Sequence, residues 1–185
     1  PHGAYPTAFT EIWEFPGRNT ITPEIRARQP KQARTGYSVR EASAHWFVDD
    51  LDHPYNEDKP FDWMRGYHVG GRSLLWGRQS YRLGDLDFEA NARDGHGVDW
   101  PIRYADIAPW YDYVERLAGI SGQNEGLPQL PDGQFLPPWE MTVVEKHARE
   151  KVAAAFGGRV ITIGRVANLT QPLNGRSNCQ SRNRC

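Results

Sequence analysis

Two places in this 185-residue chain gather residue types that could do chemistry. The first is the run Val69-Gly70-Gly71-Arg72-Ser73-Leu74-Leu75-Trp76-Gly77-Arg78. Gly70 and Gly71 lack a Cβ, so their backbone can take positive φ values and approach a flat or phosphorylated ligand with its N–H groups exposed. Ser73 adds a hydroxyl that both donates and accepts hydrogen bonds. Such a loop suits a diphosphate or the edge of a flavin; the alternative is a tight turn between two strands. The second place is Cys179-Gln180-Ser181-Arg182-Asn183-Arg184-Cys185, which holds the 2 cysteines of the chain.

Several elements must position these residues. Thr22-Pro23-Glu24-Ile25 combines a hydroxyl N-cap with proline at the first helical position, which predicts a short helix through about Arg28, stopped by Pro30. Arg40 to Val48 is expected to be extended, and the polar, proline-interrupted run Asp49 to Asp58 a surface loop. Asp106 is expected to cap a helix to about Leu117, with Ile107, Trp110, Tyr111, Val114 and Leu117 as a core stripe and Gly119 ending the run. Thr142-Val143-Val144-Glu145 reads as a capping box. It opens a helix whose apolar face is Val144, Ala148, Val152, Ala155 and Phe156, ended by Gly157-Gly158. His147, beside that face, reads as structural rather than catalytic. The β-branched run in Arg159-Val160-Ile161-Thr162-Ile163-Gly164 predicts a strand directly after the helix stop.

Composition narrows the functional classes. Hydrophobic residues make up 38% of the chain, and 18 Gly and 14 Pro imply much loop, so the segment is expected to lean on further protein. A net charge of -1 supplies no field for nucleic acid or an anionic membrane. The basic content from Arg26 to Arg40 reads as a solvated face rather than a nucleic-acid arm. No stretch approaches the roughly 20 apolar residues that cross a bilayer, and two cysteines do not fix a redox compartment. Asn168-Leu169-Thr170 fits a glycosylation acceptor, a triplet common by chance.

Ordered motifs flank the glycine loop on both sides. They run from Lys59-Pro60-Phe61-Asp62-Trp63-Met64-Arg65-Gly66 through the loop to Tyr81-Arg82, then Asp85-Leu86-Asp87-Phe88, Asp94-Gly95 and Asp99-Trp100-Pro101-Ile102. Tyr104-Ala105-Asp106-Ile107-Ala108-Pro109-Trp110-Tyr111, Glu115, Gly119-Ile120-Ser121-Gly122 and Leu130-Pro131-Asp132-Gly133-Gln134-Phe135-Leu136-Pro137-Pro138 continue the series. In this order and spacing the chain resembles the glucose-methanol-choline family of flavin oxidoreductases, and within it the bacterial sugar and glucoside 3-dehydrogenase branch. The resemblance is strong from Phe61 to Pro138 and looser elsewhere.

The resemblance implies a mixed α/β (α+β) fold: part of a two-domain flavoenzyme with a Rossmann-like FAD-binding domain and an antiparallel-sheet substrate domain. The G-x-G-x-x-G fingerprint that opens such proteins is absent from these residues, so the chain is expected to be an internal piece. On that basis residues 1–60 form a loop-rich segment after the nucleotide-binding unit, 61–103 the flavin-contacting glycine loop and its flanks, 104–158 a helical segment, and 159–185 a strand and cysteine loop. The family's catalytic His paired with a second His or Asn would lie outside this chain, so no catalytic base is assigned.

The implied activity is oxidation of a hydroxyl of a sugar or glycoside, with hydride passing to FAD. Gly70, Gly71, Ser73, Leu75, Trp76 and Gly77 are the expected cofactor contacts. Some relatives attach FAD through a His in this loop, where this chain has Leu74-Leu75-Trp76, so FAD is expected to be non-covalent. Cys179 and Cys185 resemble part of a loop that, in some family members, holds an iron-sulfur cluster passing electrons to a cytochrome. Two thiolates fall short of a cluster's ligand set, and the alternative is a disulfide or two plain thiols. The implied partners are the sugar or glycoside, the remainder of the polypeptide, a small subunit and a cytochrome. A rival class is a noncatalytic carbohydrate-binding module using Trp63, Trp100, Tyr104 and Trp139 as stacking surfaces. Core packing is the expectation for most of these aromatics, and they show no repeat.

Overall fold

The computed structural model of the chain describes residues 6–35 and 39–180, and the chain divides at Trp76–Gly77 into two compact units. Among the described residues the regular structure is helical. Six α-helices are present: α1 Pro23–Arg28, α2 Pro30–Thr35, α3 Asp85–Phe88, α4 Ala90–Asp94, α5 Tyr104–Ala118 and α6 Val143–Ala155. Strand pairing is confined to isolated bridges, so the expected Rossmann-like and antiparallel sheets are not found in these residues.

The first unit is built around α1 and α2. Thr22 caps α1 by accepting from the Ile25 amide at 3.3 Å, as the sequence predicts. Pro30, expected only to end α1, instead occupies the start of α2, where its missing N–H and fixed φ cost nothing. Gln29 and Gln32 from this junction are buried, and their amides reach the backbone of the following segment. Gln32 Nε2 donates to the Val48 carbonyl and to Asp50, each at 3.1 Å.

The segment Arg40 to Val48 is not extended. Ser43 Oγ accepts from the Arg40 amide at 3.0 Å, the Ala44 amide donates to the Arg40 carbonyl at 2.8 Å, and a 3-10 turn follows over Ala44–Trp46. This local bonding competes with strand formation. It turns Trp46 and Phe47 onto Val39 to form the unit's core, with Ile25, Ala44, Leu74 and Leu75 packed against it. The run Asp49 to Asp58 is a loop, as expected. Acidic residues of this loop and just beyond it answer the basic helices: Arg28 pairs with Asp49 and Asp52, Lys31 with Glu57, and Arg34 with Asp62.

The second unit gathers four stretches in a patch one bridge deep, in the order Gln79, Val166, Ser121, Leu136. Ser121 and Val166 exchange amide–carbonyl bonds at 2.9 and 3.0 Å. Pairing therefore starts at Arg165 to Ala167, and the predicted strand Arg159–Gly164 just before it has no partner ladder. Extended propensity without a neighbouring strand leaves the backbone irregular.

Helix α5 begins three residues before the predicted start, with Arg103 rather than Asp106 at the cap. Asp106 acts from the third position, accepting from the Arg103 amide at 2.8 Å, and Gly119 ends the helix at φ 79°. Of the expected core stripe, Ile107 and Tyr111 are half-buried, whereas Trp110, Val114 and Leu117 face outward, Trp110 67% and Leu117 53% exposed. The buried face belongs to Glu115, 5% exposed, which receives Arg82 through two hydrogen bonds. Helix α6 carries the predicted capping box between Thr142 and Glu145. It is exposed along nearly its whole length, His147 included, so His147 has no place in a core.

Candidate functional site

The glycine loop lies at the end of the first unit. Gly70 adopts φ 97° and Gly71 φ 65°, and a 3-10 turn runs from Gly71 to Leu75. Both φ values lie where an L side chain is strained, which accounts for the paired glycines. A Cβ at Gly71 would meet no atom within 4 Å, so this face of the loop is open. A Cβ at Gly70 would come within 2.9 Å of Leu74 Cδ1.

Side chains tie the loop down from three directions. Ser73 Oγ donates to the Gly70 carbonyl at 2.7 Å. Arg72 reaches back to the Met64 carbonyl. His68 bonds the Gly71 carbonyl through Nε2 at 2.9 Å, while the Gly71 amide donates to the His68 carbonyl at 3.2 Å. The His68 ring is itself set edge-on to Trp46, with centroids 4.6 Å apart, so the loop is fastened to the core.

The expected cofactor contacts divide by position. Gly70, Ser73, Trp76 and Gly77 are exposed and Gly71 is half-buried, with Trp76 showing 47% of its surface. Leu75 packs with Leu74 against the Val39–Trp46–Phe47 cluster. Gly77 opens the second unit. The Ser73 hydroxyl proton is engaged by Gly70, which leaves its oxygen as an acceptor. Arg78 closes the run with φ 62°, unusual for a residue with a Cβ. Its carbonyl accepts from the Ala167 amide at 2.8 Å.

His68 did not emerge from the sequence, although its place just before the glycine pair was the available signal. A cavity of about 310 Å³ lies beside it in the first unit, lined by residues including His45, Trp46, Phe47, His53 and Tyr67. In the second unit a larger cavity of about 550 Å³ is bordered by α5 and by Phe135, Leu136 and Leu173.

The remaining candidates are divided between the two units. Cys179 carries a free, half-buried thiol, and Cys185 lies outside the described residues. Among the described residues no group of three or more His, Cys, Asp or Glu side chains could hold a metal ion. Trp63, in the first unit, is edge-on to Tyr55. In the second unit Trp100 is edge-on to Phe88, Tyr104 receives Arg82 on its hydroxyl at 2.7 Å, and the buried Trp139 Nε1 has no hydrogen-bond partner. Among the described residues no helix is long and apolar enough to cross a membrane.

Comparison with known proteins places this chain beside oxidoreductases. It is 29% identical to paromamine 6'-oxidase from Streptomyces fradiae over 69% of this chain and 23% of the relative. It is 26% identical to the fructose dehydrogenase large subunit from Gluconobacter japonicus over 63% of this chain and 22% of the relative. A shorter match, 36% identical over 35% of this chain and 12% of the relative, is to 2-methyl-1,2-propanediol dehydrogenase from Mycolicibacterium austroafricanum. No protein-family profile matches the chain. The chain thus spans under a quarter of the length of the first two relatives. All three are named as oxidases or dehydrogenases, two of them for a sugar or an alcohol.

Proposed function

We propose that this chain is part of an FAD-dependent oxidoreductase of the glucose-methanol-choline family, and that its substrate is a hydroxyl of a sugar or glycoside. The open Gly70–Gly71 backbone is the observation that supports this reading. Two successive left-handed glycines, one of them with clear space where a Cβ would stand, give a surface on which a diphosphate or ribityl chain can approach main-chain atoms. The residues present fit the cofactor: Trp76 supplies an exposed aromatic face at the end of the same turn, and Ser73 a free acceptor oxygen. The names of the oxidoreductase relatives support the reaction class.

When bound, FAD supplies the hydride acceptor. The task of this chain is to hold and orient it, with Gly70, Gly71 and Gly77 giving close backbone approach, Ser73 a polar contact, Trp76 a ring face, and Leu75 an anchor into the core. Leu74, Leu75 and Trp76 offer no group for a covalent flavin bond, so binding is non-covalent. A sugar or glycoside, the rest of a longer polypeptide, a cytochrome as electron acceptor and, by analogy with a relative named as a large subunit, a companion subunit complete the proposed system. The glucoside 3-dehydrogenase branch is the proposed placement within the family. An iron-sulfur cluster is not included, because Cys179 has no ligand set around it among the described residues.

The test is a visible absorption spectrum of the purified chain, repeated on the supernatant after acid precipitation, with titration of added FAD followed by fluorescence. A yellow chromophore released into the supernatant, or saturable quenching of FAD, is expected. A colourless protein that leaves FAD fluorescence unchanged would overturn the proposal for this chain.

A further inference from the structure

The side-chain bonds around the glycine loop differ in reach. Those from Ser73 and Arg72 come from the turn itself, whereas His68 joins the loop to the core. Its Nε2 lies 2.9 Å from the Gly71 carbonyl oxygen. A carbonyl only accepts, so Nε2 carries the ring proton and Nδ1 is bare. Nδ1 is buried without a partner. The ring is wedged between Trp46, 4.6 Å away edge to face, and Gly66, where a Cβ would stand 2.9 Å from His68 Cε1. Gly66 therefore supplies the space in which the imidazole sits. The Gly71 amide returns a bond to the His68 carbonyl at 3.2 Å, which closes a small ring of contacts around the two positive-φ residues.

We infer that His68 is the positioning residue of the cofactor loop: its Nε2–H holds the Gly71 carbonyl and so fixes the Gly70–Gly71 backbone in the conformation that receives the flavin. This rests on the flavin reading above for the identity of the ligand, while the conformational role stands on geometry alone. The bond directs the Gly71 carbonyl toward the core. Without it the Gly71 carbonyl keeps only the bonding of the 3-10 turn Gly71–Leu75, and glycine adds little resistance to reorientation on either side of φ zero. A carbonyl turned outward would face an anionic diphosphate with a partial negative charge. The predicted effect is thus on affinity for the ligand rather than on overall stability.

The experiment uses the full chain with His68→Asn and His68→Gln. The Gln carboxamide N–H reaches about as far as Nε2 and can donate to the same carbonyl, whereas that of Asn falls short. Hydrogen–deuterium exchange over residues 69–76 is expected to speed up at least tenfold in His68→Asn and to return near the wild-type rate in His68→Gln, with residues 143–155 unchanged in both. FAD dissociation constants should follow, about tenfold weaker for Asn and within about threefold of wild type for Gln, with thermal midpoints of the two variants alike. Unchanged exchange in His68→Asn overturns the proposal, as does faster exchange with unaltered FAD affinity. A wild-type chain that takes up no flavin overturns the flavin reading, and the exchange arm still decides the conformational role of His68.

Discussion

Arg82 donates to both carboxylate oxygens of Glu115, through Nε at 2.8 Å and Nη2 at 2.6 Å, and the two residues are only 6% and 5% exposed. Asp112 and the Tyr104 hydroxyl accept two further guanidinium protons from the same face of α5. Burial works against the charge on Arg82, but the bonds to Glu115, Asp112 and Tyr104 outweigh it, so its pKa is raised above the ordinary arginine value. One fork-to-carboxylate contact thus joins the Tyr81-Arg82 motif to α5.

Removing one member of a buried pair strands the other, a loss of about 3–5 kcal/mol. In Glu115→Ala the Gln134 amide, now bonded to Glu115 Oε2 at 2.7 Å, also loses its acceptor. Asp112 keeps one ionic partner for Arg82, so the expected loss is near the lower end, about 3 kcal/mol. Urea unfolding followed by tryptophan fluorescence measures it. A midpoint equal to that of wild type would mean that the pair contributes nothing to folding.

Gly133 presses on the same contact. A Cβ there would stand 2.5 Å from Glu115 Oε2 and 2.7 Å from the Phe135 ring. Gly133→Ala is expected to cost about 1–3 kcal/mol through overpacking. Combined with Glu115→Ala the two losses should fall short of their sum, because the truncated side chain removes one of the atoms being struck. Full additivity in the double-mutant cycle would show that the crowding is relieved elsewhere.

The capping box of α6 gives a pH dependence with a defined sign. Glu145 Oε2 accepts from the Thr142 amide at 2.7 Å. That backbone bond, helped by the Thr142 hydroxyl, lowers the Glu145 pKa from the ordinary 4.5. A carboxyl with a depressed folded-state pKa adds stability that is present above the unfolded value and is lost as pH falls through the folded one. The Thr142 amide proton, followed by NMR, should therefore titrate with a midpoint below 4.5 and cease to titrate in that range in Glu145→Gln. A midpoint above that value would reverse the sign assigned here.

Legibility in the sequence tracks how local each determinant is. The Thr22 and Thr142 caps and the Gly119 stop need only a few consecutive residues, and all three are where the sequence predicts them. The outward turn of Trp110 and Leu117 was hidden, because apolar periodicity finds an amphipathic face and cannot anticipate that Arg82, 33 residues before Glu115, selects a charged one. The Arg159–Gly164 run shows the same limit, since β-branching favours a strand only where another strand is present to pair. At the candidate site the positive φ of Gly70 and Gly71 was readable from residue type alone. His68 was not, because its role depends on the spacing to Trp46 and Gly66, which only the folded chain reveals.

Gly71 allows backbone strain to be separated from ligand approach. An L side chain at its φ of 65° costs about 1–2 kcal/mol, and a Cβ there meets no atom within 4 Å, so Gly71→Ala should fold with only that loss. Gly95 offers a matched control: its φ is 72° and its Cβ space is equally empty, but it ends α4, away from the loop in sequence. Gly95→Ala should lose a similar amount of stability and leave FAD binding as it is. Gly71→Ala should weaken FAD binding at least tenfold, because the new methyl group stands on the open face where the proposed ligand meets the backbone. Fluorescence titration of both variants beside their urea midpoints separates the effects. Equal FAD affinities with equal stability losses would place the flavin away from Gly71.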